Sequence, residues 1–573
     1  MDMMQEYQKW VALSAGDEHL SAELKAIKND PRAIEDRFYT ELSFGTGGMR
    51  GVMGAGINRI NVFTIRRAAA GLADELLSHP VPLHKSVVIA FDSRLFSNLF
   101  AKETALVMAA RGIKALLFES LRPVPVLSYA VRHLHASAGV VITASHNPPR
   151  YNGFKAYGAD GAQLSPEAAD QVTKHIRALD YADCQPMNEE DALQSGKLAY
   201  IGAREVDDDY NRMVLDLLIR PELVEKEGGK LNIVYTPLHG AGNVPVRRAL
   251  REAGITRVTV VPEQEMPDPA FPTVKQPNPE DPAAFALAIP LARETSASVI
   301  IATDPDCDRM GVCVLDEGGD FETLSGNQIG CLLLHHIVSQ RKQQGTLPDN
   351  GAAVKSIVST QMARAICEDY GVTLFDVLTG FKFVGEKIQE FEETGSHTFL
   401  FGFEESFGYL SGTSVRDKDA VNASLLIAEA ACVCLHEGIT LYERLGRIYR
   451  TYGYFIEDVR AKTYLGREGA LNMARIMKTL RDKPPQSFAG VTVLAVRDYL
   501  TGLRYAEGTS VPMGQDLSNV LYYELENQSW LCVRPSGTEP KIKLYGGSRD
   551  SESMANARKM VTQLMDSLEE RMV

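Results

Sequence analysis

The sequence predicts a run of α/β domains followed by a smaller α+β domain. Three observations lead there. Short apolar runs end abruptly in polar or glycine-rich loops, helix-like stretches separate them, and after about residue 452 the pattern changes to two helical segments with several β-like runs. At 573 residues the chain is too long for one hydrophobic core, so roughly three to five domains are expected.

The predicted strands are taken in order. SVVIAFDSR (86–94), GVVITASHN (139–147), LNIVYTPLHGAGN (231–243), ASVIIATDPDCDR (297–309) and HTFLFGFEES (397–406) each carry a compact apolar stretch. Runs such as VVI and VII suit strands buried on both faces, and in parallel α/β sheets the loops leaving the carboxyl ends of strands hold ligands. Acidic or glycine-containing stretches (REVDDDY, DEGGD, RTYGY) place boundaries near 205, 322 and 452, giving domains 1–205, 206–322, 323–452 and 453–573. In the last, LYYELENQSWLCVRPSGTEPKIKLYGGS reads as β-rich, hence α+β.

Composition narrows the class. Hydrophobic content of 45% and charged content of 23% suit an ordinary globular protein. A formal charge of −14 argues against nucleic-acid and anionic-membrane partners, while leaving room for a locally basic pocket that holds an anionic substrate. The eight cysteines lack paired C-x-x-C spacing and read as reduced thiols. The N-terminus has no apolar signal core and no run approaches membrane-spanning length, so a cytoplasmic location is expected. Monomer and dimer both remain open.

After GVVI comes TASHNPPRYNGFK (143–155), where two prolines and Asn152-Gly153 signal a loop that presents Ser145 beyond the strand end instead of burying it. A serine hydroxyl can accept and return a phosphoryl group when nearby cations offset the transition-state charge. Arg150 and Lys155 offer such charge. An S-H-N triplet that merely satisfies backbone groups in a turn is the plainer reading. A protease reading is weaker, because adjacency makes a hydrogen bond from His146 to Ser145 awkward and no G-x-S-x-G elbow exists.

The run ASVIIAT ends in Asp304-Pro305-Asp306-Cys307-Asp308-Arg309. In an extended segment alternate residues share a side, so three carboxylates converge and require a cation or protonation. Hard oxygen ligands without a histidine or cysteine pattern favour magnesium over zinc; a solvated acidic turn is the other reading.

Further polar loops follow. Gly402-Phe403-Glu404-Glu405-Ser406 suits hydrogen bonds to sugar hydroxyls, or an acidic capping turn. Arg534-Pro535-Ser536-Gly537-Thr538, with Lys543 beyond it, suits a phosphate dianion, or a simple turn. Thr46-Gly47-Gly48-Met49-Arg50-Gly51 is a glycine-rich turn, and Lys382 in LTGFK reads by itself as a solvated surface lysine.

These six segments, in their order along the chain and spanning nearly all of it, closely resemble the α-D-phosphohexomutase superfamily in its phosphoglucomutase/phosphopentomutase-like branch. The resemblance implies four domains around a central cleft, the first three with related α/β cores and the fourth smaller and α+β. It implies one magnesium ion held by Asp304, Asp306, Asp308 and phosphorylated Ser145, with Arg309 facing substrate or phosphoserine. Arg50 and Lys155 would hold the phosphoserine, with Lys382, joined by His146, for acid–base work. Gly402, Glu404 and Ser406 would recognise the sugar. Arg534, Ser536, Gly537, Thr538 and Lys543 would grip the phosphate not being transferred. Cys307 stands where relatives tend to have a small residue, which leaves metal binding intact and adds oxidation sensitivity. The implied activity interconverts α-D-glucose 1-phosphate and glucose 6-phosphate through glucose 1,6-bisphosphate, which also serves as activator. Ser406 favours glucose over pentose phosphates; pentose-phosphate mutation and bisphosphate synthesis are the enzymatic alternatives, and a non-catalytic sugar-phosphate binder is the remote one.

Overall fold

A computed structural model describes residues 2–45, 47–79, 85–464, 466–535 and 541–572. The chain forms two compact units, 1–325 with 384–395 and 406–440, and 326–383 with 396–405 and 441–573.

In the first unit, one sheet contains β1 (Met49–Val52), β2 (Ser86–Phe91), β3 (Lys114–Phe118), β4 (Ala138–Ile142), β5 (Tyr151–Gly158) and β6 (Leu198–Ile201), in the order β1-β5-β4-β2-β3-β6. A second contains β7 (Asn232–Thr236), β8 (Arg257–Val260), β9 (Val299–Thr303), β10 (Met310–Leu315) and β11 (Phe321–Thr323), ordered β11-β10-β9-β7-β8. In the second unit, β12 (Gly351–Ser356), β13 (Thr373–Val377) and β14 (Thr398–Glu404) pair as β13-β12-β14. All five predicted runs are strands.

One topology repeats in these three sheets. The first strand of each set lies centrally, with the second parallel on one side and the third parallel on the other: β4-β2-β3, β9-β7-β8 and β14-β12-β13. Helices such as Ser97–Ala110 and Asn243–Glu252 make the crossovers. The third strands are buried almost throughout, which explains their unbroken apolar runs. The loops carrying Ser145, Asp304 and Glu405 each leave the carboxyl end of a third strand.

Among the described residues the second unit also holds an eight-stranded antiparallel sheet that includes the strands Trp530–Pro535 and Lys541–Asp550. Helices Gly466–Asp482 and Met554–Glu570 supply Met477, Leu480, Leu564 and Leu568 to a core with Leu531 and Val533, so this part is α+β.

Helix Ala420–His436 belongs to the first unit and is buried along nearly its whole length. Its N-cap, Asp419, is 1% exposed and accepts hydrogen bonds from Asn422 N and the Tyr210 hydroxyl, both at 2.9 Å. Burial outweighs these bonds and pushes its carboxyl up to about 6. The fold therefore favours the neutral form. Its stabilising contribution, about 3 kcal/mol for a rise of this size, is complete below the ordinary carboxyl range and lost as pH rises through 6. Asn caps a helix well and stays neutral. Asp419→Asn should thus gain about 2–4 °C in melting temperature relative to wild type between pH 4 and 7.5. Parallel thermal melts across that range check it; a constant difference would contradict it.

Candidate functional site

The first unit brings the serine and aspartate loops together. Ser145 Oγ donates to Asp304 Oδ2 at 2.7 Å. Ser145 is only 2% exposed, so the expectation that it is presented rather than buried is corrected: the loop folds back onto the aspartate loop. The turn itself lies upstream of its expected place. Asn152-Gly153 is not part of it but sits in β5, because β1 pairs alongside with Arg50 opposite Gly153. A Cβ at Gly153 would stand 2.6 Å from Met49 O and 2.7 Å from Thr143 O, a close approach that only glycine allows.

His146 Nδ1 lies 3.2 Å from Ser145 Oγ, despite the adjacency that made this contact look awkward. The positive φ of Ser145 (50°) turns the two side chains toward each other. Burial, then the Arg309 and Arg50 charges, hold this imidazole well below its usual range, so it is neutral.

Asp304, Asp306 and Asp308 are buried, and a carboxylate oxygen from each lies within 4.8 Å of the others. The expected convergence is present, but its geometric cause differs. The segment is a turn, not an extended strand: Cys307 has φ 51°, its N–H donates to Asp304 O at 2.9 Å, and Asp304 Oδ1 accepts from Asp308 N and Arg309 N, each at 3.1 Å. Burial and then the Asp306 and Asp308 charges push the Asp304 carboxyl well up. Burial would also raise Asp308, but Lys418, Lys155 and Arg309 outweigh it and hold that carboxyl low.

Lys155, on β5, places Nζ 2.7 Å from Asp306 Oδ2 and 3.4 Å from Asp308 Oδ2. Burial works against its charge, but Asp306 and Asp308 prevail and raise it. Lys418 Nζ reaches Asp308 Oδ2 at 3.3 Å and Asp417 Oδ1 at 3.0 Å. Among the described residues the Oδ1 atoms of Asp306 and Asp308 are buried without a hydrogen-bond donor. Oxygen donors, orphaned lone pairs and mutual repulsion together suit a small hard dication.

The remaining predicted positions divide. Arg50 Nη1 donates to Asn147 Oδ1 at 2.8 Å, at the edge of the serine loop. Arg150 is exposed with its guanidinium over Tyr151, apart from the carboxylates. Arg309 Nη1 bonds Glu280 and, at 3.0 Å, Ser406 O.

In the second unit, Gly402 and Glu404 lie on β14, and Glu404 Oε1 accepts from Gly380 N at 2.6 Å. Lys382 opens helix Lys382–Thr394, 9% exposed, with Nζ 4.4 Å from the centre of the Phe383 ring, so it is no solvated surface lysine. Arg534 and Lys543 stand opposite each other on the paired strands Trp530–Pro535 and Lys541–Asp550. Like charges at such a position repel unless an anion joins them. Thr46, Ser536, Gly537 and Thr538 lie outside the described residues.

Sequence reasoning missed Lys418 and Asp92-Ser93-Arg94. Arg416-Asp417-Lys418-Asp419 reads as a solvated charged run, yet all four are buried. Its one local signal is its place directly before a strongly apolar helix.

Comparison with known proteins identifies the family. Models of the phosphoglucomutase/phosphomannomutase family match in four consecutive pieces: alpha/beta/alpha domain I over 41–183, domain II over 208–318, domain III over 325–452 and the C-terminal domain over 503–564. A phosphoglucomutase of Staphylococcus saprophyticus is 38% identical over 515 residues, covering 88% of this chain and 90% of that protein. One from Staphylococcus haemolyticus is 37% identical over 519 residues, covering 89% and 91%. The solved open form of Paramecium pp63/parafusin, a phosphoglucomutase, shares the fold with a TM-score of 0.68 at 16% identity, over 93% of this chain and 96% of that one. Agreement across all four domains defines the class, a phosphohexomutase-type isomerase. The chain belongs to the phosphoglucomutase/phosphomannomutase family.

Proposed function

We propose that the chain interconverts α-D-glucose 1-phosphate and glucose 6-phosphate, with Ser145 as the phosphoryl carrier and glucose 1,6-bisphosphate as intermediate and activator. The observation that carries this reading is Ser145 Oγ at 2.7 Å from Asp304 within the carboxylate trio. The identity of 37–38% to curated phosphoglucomutases over nearly nine-tenths of the chain supports it.

In the reaction a sugar hydroxyl attacks the phosphorus of phosphorylated Ser145. A P–O bond to the sugar forms, the P–Oγ bond breaks, and its electron pair remains on Oγ. The bisphosphate turns around, Oγ attacks its other phosphate, and the isomeric monophosphate leaves. Asp304, Asp306, Asp308 and the phosphoserine would hold magnesium, which when bound offsets charge on the transferring phosphoryl oxygens. Lys155 sits against the same carboxylates and adds a cation beside them, while Arg50 steadies the loop through Asn147. Lys382, with neutral His146 3.2 Å from Oγ, is the candidate for acid–base work, taking the proton of the attacking hydroxyl and supplying one to the departing oxygen. Arg309, Gly402, Glu404 and Ser406 recognise the sugar. Arg534, Ser536, Gly537, Thr538 and Lys543 hold the other phosphate, a role the opposed Arg534–Lys543 pair supports. Eight free, buried cysteines support a reducing, cytoplasmic setting.

The test is a panel of glucose, mannose and ribose 1-phosphates with magnesium and catalytic glucose 1,6-bisphosphate. Glucose 1-phosphate should give the highest kcat/KM, by about tenfold or more. Faster turnover of ribose 1-phosphate would replace this reading with a pentose-phosphate one.

A further inference from the structure

We propose that Arg94, anchored by Asp92, is a positioning residue that holds Ser145 in its reactive geometry. Both lie just beyond β2, and both side chains are fully buried. Arg94 Nη2 donates to Ser145 O at 2.5 Å and to Asn147 O, and Nη1 donates to Pro148 O at 3.0 Å and Tyr151 O at 3.1 Å. The serine loop is wound around one guanidinium.

The other side of Ser145 is held by the same pair. Asp92 Oδ2 accepts the Thr143 hydroxyl at 2.6 Å, and Thr143 Oγ1 in turn accepts Ser145 N at 2.8 Å. Asp92 Oδ1 accepts Arg94 N at 2.9 Å and Ser97 Oγ at 2.7 Å, while Oδ2 lies 3.4 Å from Arg94 Nε. The Phe271 ring centre is 5.0 Å from the guanidinium carbon. Thus the carbonyl of Ser145 is fixed directly by Arg94 and its N–H through Asp92 and Thr143. Between these restraints Ser145 keeps φ 50°, a conformation disfavoured for a residue with a side chain, and its Oγ meets Asp304. A planar fork of donors suits several carbonyls at once; the three tetrahedral donors of lysine do not.

The inference rests on Ser145 as phosphoryl carrier, and the two fail separately. A wild-type chain without mutase activity would defeat that carrier reading, whereas an Arg94 variant with full activity would defeat only this one. Arg94→Lys should lower kcat by about 100-fold with KM for glucose 1-phosphate within about threefold of wild type, since alignment is lost and substrate contacts are not. Quenched-flow intact mass should show slowed phosphoryl transfer from glucose 1,6-bisphosphate to Ser145, and guanidinium ion should partly restore Arg94→Ala. Wild-type kcat in Arg94→Lys overturns the proposal. So does a kcat loss that merely follows the folded fraction, without guanidinium rescue. If the Arg94 variants do not fold, Asp92→Asn decides: kcat should fall about tenfold at unchanged KM, and wild-type kcat there overturns the proposal.

Discussion

Replacing Ser145 by Ala is expected to lower glucose 1-phosphate turnover by about 10⁴-fold or more, in line with loss of a covalent nucleophile. In the proposed reaction the hydroxyl accepts and returns the phosphoryl group, and without it no P–O bond to the protein can form. Structure should survive, because the change leaves Asp304 Oδ2 short of one donor, a cost of about 1–3 kcal/mol that a folded domain tolerates. A coupled assay gives the turnover. Intact mass after incubation with glucose 1,6-bisphosphate should show phosphate on wild type and none on the variant. A variant with near-normal turnover and an unchanged melt would end the phosphoserine reading.

The second large effect concerns the carboxylates and runs in opposite directions for activity and stability. Asp304→Asn should cut magnesium-supported turnover by about 10³-fold, the equivalent of several kcal/mol of lost charge stabilisation. Without magnesium the same variant should melt higher than wild type. Two buried carboxylates about 4 Å apart repel by about 4 kcal/mol at an effective dielectric near 20, and Asp304 bears this from both Asp306 and Asp308. Adding magnesium should raise the wild-type melting temperature and move the variant far less. A chelator should abolish wild-type turnover and magnesium should restore it. Turnover untouched by chelation, or a variant that keeps full metal-dependent activity, would contradict the metal assignment.

Much of the site was legible because its chemistry is local in sequence. T-A-S-H-N-P-P and D-P-D-C-D-R keep their serine, carboxylates and turn residues within a few positions, and the apolar runs before them announce buried strands. Lys418 and Arg94 were not legible for the converse reason. Lys418 acquires meaning from Asp308, and Arg94 from carbonyls fifty residues onward; nothing beside either residue in sequence announces the partner.

The sequence by itself determined the repeated α/β pattern, the later α+β region and the identity of the polar loops, since strand periodicity, turn chemistry and ligand type are short-range properties. Only the tertiary structure decided that Ser145 is buried, that a left-handed Cys307 turn and not an extended run gathers the aspartates, that Arg150 stays outside while Lys155 and Lys418 enter, and that one guanidinium holds the serine loop. Burial and charge pairing are properties of segments that meet only on folding, so no local pattern specifies them.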